Sequence, residues 1–192
     1  MEIANRFGPT LGAGLLVLLL LAGTCFAQNK RETYDATAYG TSTQMGRNIG
    51  IRIIIESYST PEDQRTLLEA FSKGGNEGLV KALEKMPARG RIAVTGGLGY
   101  DVTYIRQFPT PTGRKVRLIT NRKIAFGEAW ASTRSEEYSV TALELDLSNQ
   151  KEKSAGTLLP ACKLQVNKQN EIEIEAFQNP WRLTNIIDWG SK

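Results

Sequence analysis

Apolar residues recur at every second position along much of this 192-residue chain, and this spacing limits the fold more than any other feature. Isoleucine occupies alternate positions in Ile49–Ile55, and leucines alternate with acidic residues in Leu143–Leu147. Side chains two positions apart lie on the same face of an extended strand. The spacing therefore predicts strands with one buried face, which is typical of antiparallel sheets.

The same reasoning places strands along most of the chain, separated by turns rich in glycine and proline. The predicted strands are Glu32–Ser42, Ile49–Glu56, Arg91–Thr95, Asp101–Phe108, Val116–Ile119, Ile124–Trp130, Tyr138–Leu147, Gly156–Val166 and Glu171–Phe177. Because the connections are short, we expect an antiparallel meander that forms a curved sheet or an incomplete barrel of about seven to nine strands. No repeat or linker divides residues 28–192, so we expect one domain there.

One stretch departs from the strand spacing, at about residues 61–86. Thr60 suits the N-cap of a helix and Pro61 its first turn, and apolar residues follow at helical spacing. Gly74–Gly75 ends this helix, and a second short helix runs on to Pro87. Helices this short are stable only when packed on something else. We therefore predict an α+β fold in which an inserted short helical hairpin packs on the sheet.

The last two predicted strands permit a statement about their pairing. If the alternate apolar residues of Cys162–Val166 and Ile172–Ala176 share one face, the loop between them must contain an odd number of residues, three or five. Either register places Lys163 opposite a glutamate, Glu173 or Glu175.

The start of the chain predicts a cleavable signal peptide over residues 1–27. Arg6 precedes the apolar run Leu15–Ala22, and small residues follow it. The run is shorter than the ~20 apolar residues that cross a bilayer. We expect export to the periplasm or the medium, with no transmembrane span after processing. Two alternatives stay open, namely an uncleaved anchor over Leu11–Ala27 and a lipid attached to Cys25.

The chain contains no histidine, which excludes several classes of site. Nucleophilic sites of the Ser-His-Asp or Cys-His type cannot form within it. The processed chain would keep one cysteine, Cys162, so zinc sites built from cysteine and histidine are excluded as well. We expect Cys162 to be a small buried residue on a strand, and we expect no cofactor.

A glycine-rich segment, Arg91–Val102, resembles the strand and glycine loop that open the short-chain dehydrogenase fold. That resemblance implies NAD(P) binding, with Arg122 placed to contact a 2′-phosphate. The sequence departs from the family, because Val102 replaces the third glycine and Tyr138 lacks a lysine four residues later. We therefore expect a glycine-rich break in an antiparallel strand, and no NAD(P).

Five cations lie within ten residues and form the candidate binding site: Arg114, Lys115, Arg117, Arg122 and Lys123. Together with the net charge of +4, they favour an anionic surface such as lipid headgroups or acidic polysaccharide. The alternative interpretation is a solvated strand face. We do not expect nucleic acid as the partner of an exported chain.

Acidic and aromatic residues supply two further candidates. The acids of Glu144–Asp146 and Glu171–Glu175 lie on strand faces, so a catalytic pair of carboxylates is conceivable. Trp130, Trp181 and Trp189 could stack on sugars, although we expect Trp181 to fill the end of the core.

These observations predict an exported, non-catalytic domain that binds an unidentified ligand or cell-envelope partner, with enzymatic activity left open. One alternative is a histidine-free hydrolase that uses carboxylates outside the cytoplasm. Another is a structural or assembly subunit that contributes an edge strand. An apolar pocket between sheet and helices would favour ligand binding, whereas a filled core would leave only surface interactions.

Overall fold

The computed structural model describes residues 30–41, 45–122 and 138–191. The expected signal peptide with its Cys25, and the expected strand Ile124–Trp130, lie outside these residues. The elements are β1 (Glu32–Gly40), β2 (Asn48–Ile55), α1 (Pro61–Leu83), β3 (Gly90–Val94), β4 (Tyr100–Thr110), β5 (Gly113–Thr120), β6 (Val140–Ser148), β7 (Ala155–Val166), β8 (Ile172–Gln178) and β9 (Trp181–Ser191). A short 3-10 helix, Lys151–Lys153, precedes β7.

Eight of the strands form a closed antiparallel barrel. Strands β1 to β7 pair in chain order, and β9 pairs with both β1 and β7. Ala38 lies opposite Leu183 in the first of these pairings, and Leu158 lies opposite Trp181 in the second. Strand β8 pairs with the last part of β7 and lies outside the ring. The predicted antiparallel α+β fold is confirmed, and β9, which lies beyond the predicted strands, completes the barrel.

The interior of the barrel is filled with side chains. Alternate residues of β2 point inward, as the spacing of Ile51, Ile53 and Ile55 predicts, and all three are fully buried. The interior core consists of Tyr34, Ala36, Ala38, Ile51, Ile53, Ile55, Ile92, Val102, Ile105, Val116, Leu118, Leu143, Leu145, Leu158, Trp181 and Leu183. The prediction that Trp181 belongs to the core is confirmed.

A second core lies between the outside of the barrel and α1. It contains Leu67, Leu79 and Leu83 of the helix, together with residues of β4 to β8 that point outward. Cys162 belongs to this core and is fully buried, as predicted. The side-chain oxygen of Asn76 accepts a hydrogen bond of 2.9 Å from the Leu164 backbone N–H and so ties the helix to β7.

Helix α1 begins as predicted and then bends sharply. Thr60 caps it reciprocally with Asp63, through backbone-to-side-chain hydrogen bonds of 2.8 and 3.2 Å. Gly74 and Gly75 have non-helical backbone angles, with φ of +57° at Gly75.

The bend folds the second arm of α1 back against the first. A Cβ atom added at Gly78 would lie 2.4 Å from the carbonyl oxygen of Ala70, eight positions earlier. Residues eight apart in a straight helix are about 12 Å apart. The predicted helical hairpin thus corresponds to the two arms of α1. Among the described residues, no helix has both the length and the apolar character needed to cross a bilayer.

The β7–β8 hairpin has a five-residue loop, one of the two predicted lengths, and keeps the matching register from Val166 to Leu164 but not at Lys163. Val166 pairs with Ile172, and Lys163 pairs with Ala176, because a bulge shifts the strands at this point. The Lys163 Nζ still lies 3.2 Å from Oε2 of Glu175. The prediction of a glutamate directly opposite Lys163 is therefore wrong for the backbone register, although the ion pair forms.

The glycine-rich segment joins two antiparallel strands. Arg91 of β3 pairs with Asp101 of β4, and Thr95–Gly99 forms the turn between them. Gly96 and Gly99 have φ of +85° and +79°, values that favour glycine. The segment therefore does not lead from a strand into a helix, as it would in a dehydrogenase.

Candidate functional site

The candidate cations of β5 lie on two different faces of the barrel wall. Arg114 is on the inner face with Val116 and Leu118, whereas Lys115 and Arg117 are on the outer face. Lys123 lies outside the described residues.

On the outer face, the cations are paired with acids of β6. The Arg117 Nε donates to Oε1 of Glu144 at 2.7 Å, and the Lys115 Nζ lies 3.6 Å from Oδ1 of Asp146. The exposed Arg122 donates from Nε to the side-chain oxygen of its neighbour Asn121 at 3.3 Å. The structure therefore does not unite these residues in one cationic surface, and their role in binding stays a prediction.

Arg114 is the centre of a polar cluster at the end of the barrel where β1 begins. It donates to Oε1 and Oε2 of Glu32 at 3.2 and 2.7 Å. It also donates to the hydroxyl oxygens of Tyr34 and Tyr58 at 2.8 and 3.0 Å, and to the side-chain oxygen of Gln107 at 2.9 Å. Both tyrosine hydroxyls donate to the Glu32 carboxylate, at 2.6 and 3.0 Å.

This cluster is a saturated network. Burial, together with the nearby charge of Glu32, raises the pKa values of Tyr34 and Tyr58 far above the ordinary value. Both phenols are therefore protonated at neutral pH, as their hydrogen bonds to the carboxylate require. The arrangement suits a structural role at this end of the barrel. Arg114 neutralises the buried Glu32 carboxylate and does not make it more reactive.

The acids considered for a hydrolase are held by separate partners. Glu171 accepts from Arg106 at 2.8 Å, and Glu173 accepts from the side-chain amides of Gln165 and Asn167 at 2.8 and 3.1 Å. Glu144 and Glu175 pair with the cations described above. Within residues 30–41, 45–122 and 138–191, no three acidic or cysteine side chains lie close enough together to hold a metal ion.

The outer surface of β1, β2 and β9 carries a different arrangement, which we call the Trp189 platform: Asp35, Arg52 and Trp189. The Arg52 guanidinium donates to both oxygens of Asp35 at 2.8 Å. The indole N–H of Trp189 donates to Oδ2 of the same carboxylate at 2.9 Å. Trp189 is nevertheless 59% exposed.

The hydrogen bonds explain why this exposed ring has a defined position. The Arg52 guanidinium and then the Trp189 indole hold the pKa of Asp35 below its ordinary value, although desolvation opposes them. The carboxylate is therefore ionised at neutral pH and keeps both donors. An exposed aromatic ring anchored through its edge leaves its faces available to a ligand.

A cavity of about 440 Å³ opens beside the platform. It is lined by Arg31, Thr33, Arg52, Trp189 and Gly190. Its volume lies within the ~300–1,000 Å³ typical of small-ligand sites. Of these residues, the sequence pointed only to Trp189, as an aromatic that could stack on sugars, and Trp130 lies outside the described residues.

Comparisons with protein-family models, with curated proteins and with solved structures gave no match for this chain.

Proposed function

We propose that this protein is an exported, non-catalytic binding domain that recognises a component of the cell envelope through the outer surface of β1, β2 and β9. The filled interior supports a role at the surface, because the barrel core is occupied by its own side chains. The saturated Glu32–Arg114 cluster supports a non-catalytic role, because its phenols are protonated and its carboxylate is neutralised.

The observation that carries the proposal is the exposure of Trp189 in a fixed position. A large aromatic ring at the surface gains little for folding, since much of its area stays in water. Here the fold nevertheless provides it with an ionised acceptor, Asp35, and a guanidinium that holds the acceptor in place. Rigid exposed aromatic residues beside arginine are typical of binding hot spots.

The test is retention of the purified protein on cell envelopes isolated from the organism that produces it. We expect Trp189→Ala to weaken retention at least tenfold, which corresponds to about 1.4 kcal/mol. Leu98→Ala is the control, because Leu98 is 89% exposed and lies in the β3–β4 turn, on none of the three strands that form the proposed surface. Equal retention of the Trp189→Ala variant and the wild type would refute the proposal.

Export is tested separately by the intact mass of the protein recovered from its producer. We expect a species that lacks residues 1–27, recovered outside the cytoplasm. A full-length chain of 192 residues in the cytoplasm would contradict export.

A further inference from the structure

We propose that the ligand of this surface is a linear acidic polysaccharide that lies along β1 and contacts two aromatic residues, each adjacent to an arginine. This inference rests on the proposed function and specifies the chemistry of the ligand. Its basis is a second aromatic position, Tyr39, on the same outer face as the Trp189 platform.

Tyr39 is a second exposed aromatic residue with an arginine as its neighbour in the sheet. It is 41% exposed and lies four residues after Asp35 on β1, so both side chains point to the same face. Its cross-strand partner on β9 is Arg182, whose side chain is exposed. At the other end of the surface, Trp189 and Arg52 both donate hydrogen bonds to the Asp35 carboxylate. Each end of the surface thus combines an aromatic ring with a guanidinium.

The spacing of the two aromatic positions suits an oligosaccharide better than a single sugar. Asp35, which accepts the hydrogen bond of the Trp189 indole, and Tyr39 are four residues apart on an extended strand, a span of about 13 Å. Between the two ends, Thr37 of β1 pairs with Thr184 of β9, and both side chains are half-buried. Their hydroxyls can donate and accept hydrogen bonds, as sugar hydroxyls require. The faces of the two rings can meanwhile contact the apolar faces of sugar rings.

The charges of the surface favour an acidic ligand. The cations of this surface are Arg31, Arg52 and Arg182, and its acids are Asp35 and the exposed Glu56, which directly follows β2. Arg52 and Trp189 already occupy both oxygens of Asp35. Arg52 uses only Nε and Nη2 for this contact, so the N–H groups of Nη1 remain for a ligand. Guanidinium groups with free N–H donors match the geometry of a carboxylate.

The first experiment titrates the purified full-length protein with polygalacturonate and with the same polymer after complete methyl esterification. The two probes share a backbone but differ in charge. We expect the acid form to bind at least tenfold more tightly, with an affinity that falls as salt rises. Equal affinities would overturn the inference in favour of a neutral glycan. Binding to vesicles that contain phosphatidylglycerol, without binding to polygalacturonate, would overturn it in favour of lipid headgroups.

The second experiment tests whether two aromatic positions act together. Long oligogalacturonates should bind more tightly than digalacturonate, and Tyr39→Ala should abolish this dependence on length. Arg182→Gln should weaken binding of the acid polymer several-fold and leave binding of the esterified polymer unchanged. Leu98→Ala should change the binding of neither polymer. A length dependence that persists in Tyr39→Ala would overturn the extended mode of binding.

The two proposals fail in different ways. If Trp189→Ala reduces retention on envelopes but the protein does not bind polygalacturonate, the proposed function stands and the ligand class is wrong. If Trp189→Ala leaves retention unchanged, the proposed function itself is wrong.

Discussion

Arg114 should contribute more to stability than the exposed ion pair of Arg52 with Asp35, and Arg114→Met tests this. Methionine keeps most of the length of the side chain but removes its charge and donors. Glu32 would then remain at the barrel end with its carboxylate only 11% exposed. The variant thus leaves a buried charge without its cation, while the packing changes little.

The expected cost follows from the burial of the pair and from what remains after the substitution. Breaking a buried ion pair costs about 3–5 kcal/mol. The hydroxyls of Tyr34 and Tyr58 would still donate to Glu32, and Arg114 itself is 35% exposed, so we expect the low end, about 3 kcal/mol. For a chain of this size, that loss lowers the Tm by about 6–12 °C.

The assay is urea unfolding, with Arg52→Met as the control. Arg52 also makes a two-point contact with an aspartate, but its side chain is 47% exposed, so we expect a much smaller loss of stability than for Arg114→Met. The double variant Glu32→Gln with Arg114→Met should recover part of the loss, since no buried charge remains. If Arg114→Met costs no more than Arg52→Met, the cluster does not stabilise the barrel end and the reasoning is refuted.

Three other expectations concern buried groups. Burial raises the pKa of the Cys162 thiol to about 12, so a thiol reagent should modify it only after unfolding, and fast modification of the native protein would contradict this. Burial also raises the pKa of Tyr104 above its unfolded value near 10, so its contribution to stability is complete below that pH and declines above it. Urea unfolding at about pH 8 and pH 11 should therefore show that the wild type loses more stability than Tyr104→Phe as the pH rises. An equal loss in the two proteins would refute this expectation. Gly90→Ala should lower the stability by about 2 kcal/mol or more in the same assay, because the new Cβ would lie 2.3 Å from the Ile54 carbonyl oxygen. Gly74→Ala serves as the control, since a Cβ there meets nothing within 4 Å.

Much of the fold could be predicted because the signals that specify it are local. The cap at Thr60, the break at Gly74–Gly75 and the alternation in Ile49–Ile55 each depend on a few neighbouring residues. The odd number of residues in the β7–β8 loop follows from parity alone.

β-Bulges account for the parts of the fold that these local patterns did not predict. One bulge moves Lys163 opposite Ala176, and others interrupt the pairing of β1 with β9. In β9, Leu183 and Ile186 both pack in the interior core although they are three positions apart. Asn185, with φ of +51°, lies between them. A strand whose alternation is broken in this way does not show the two-residue spacing.

Neither the Trp189 platform nor the closure of the barrel could be predicted, because both depend on the pairing of β9 with β1. Asp35 and Trp189 are 154 positions apart in sequence, and they meet only because β9 pairs with β1. In sequence, Asp35 and Arg52 are ordinary polar residues of two amphipathic strands, and Trp189 gives no sign of its acceptor. The pairing that seals the barrel therefore also assembles the proposed binding surface. Binding and folding should depend together on the β1–β9 seam, whereas substitutions of Trp189 or Tyr39, whose rings are exposed, should affect binding alone.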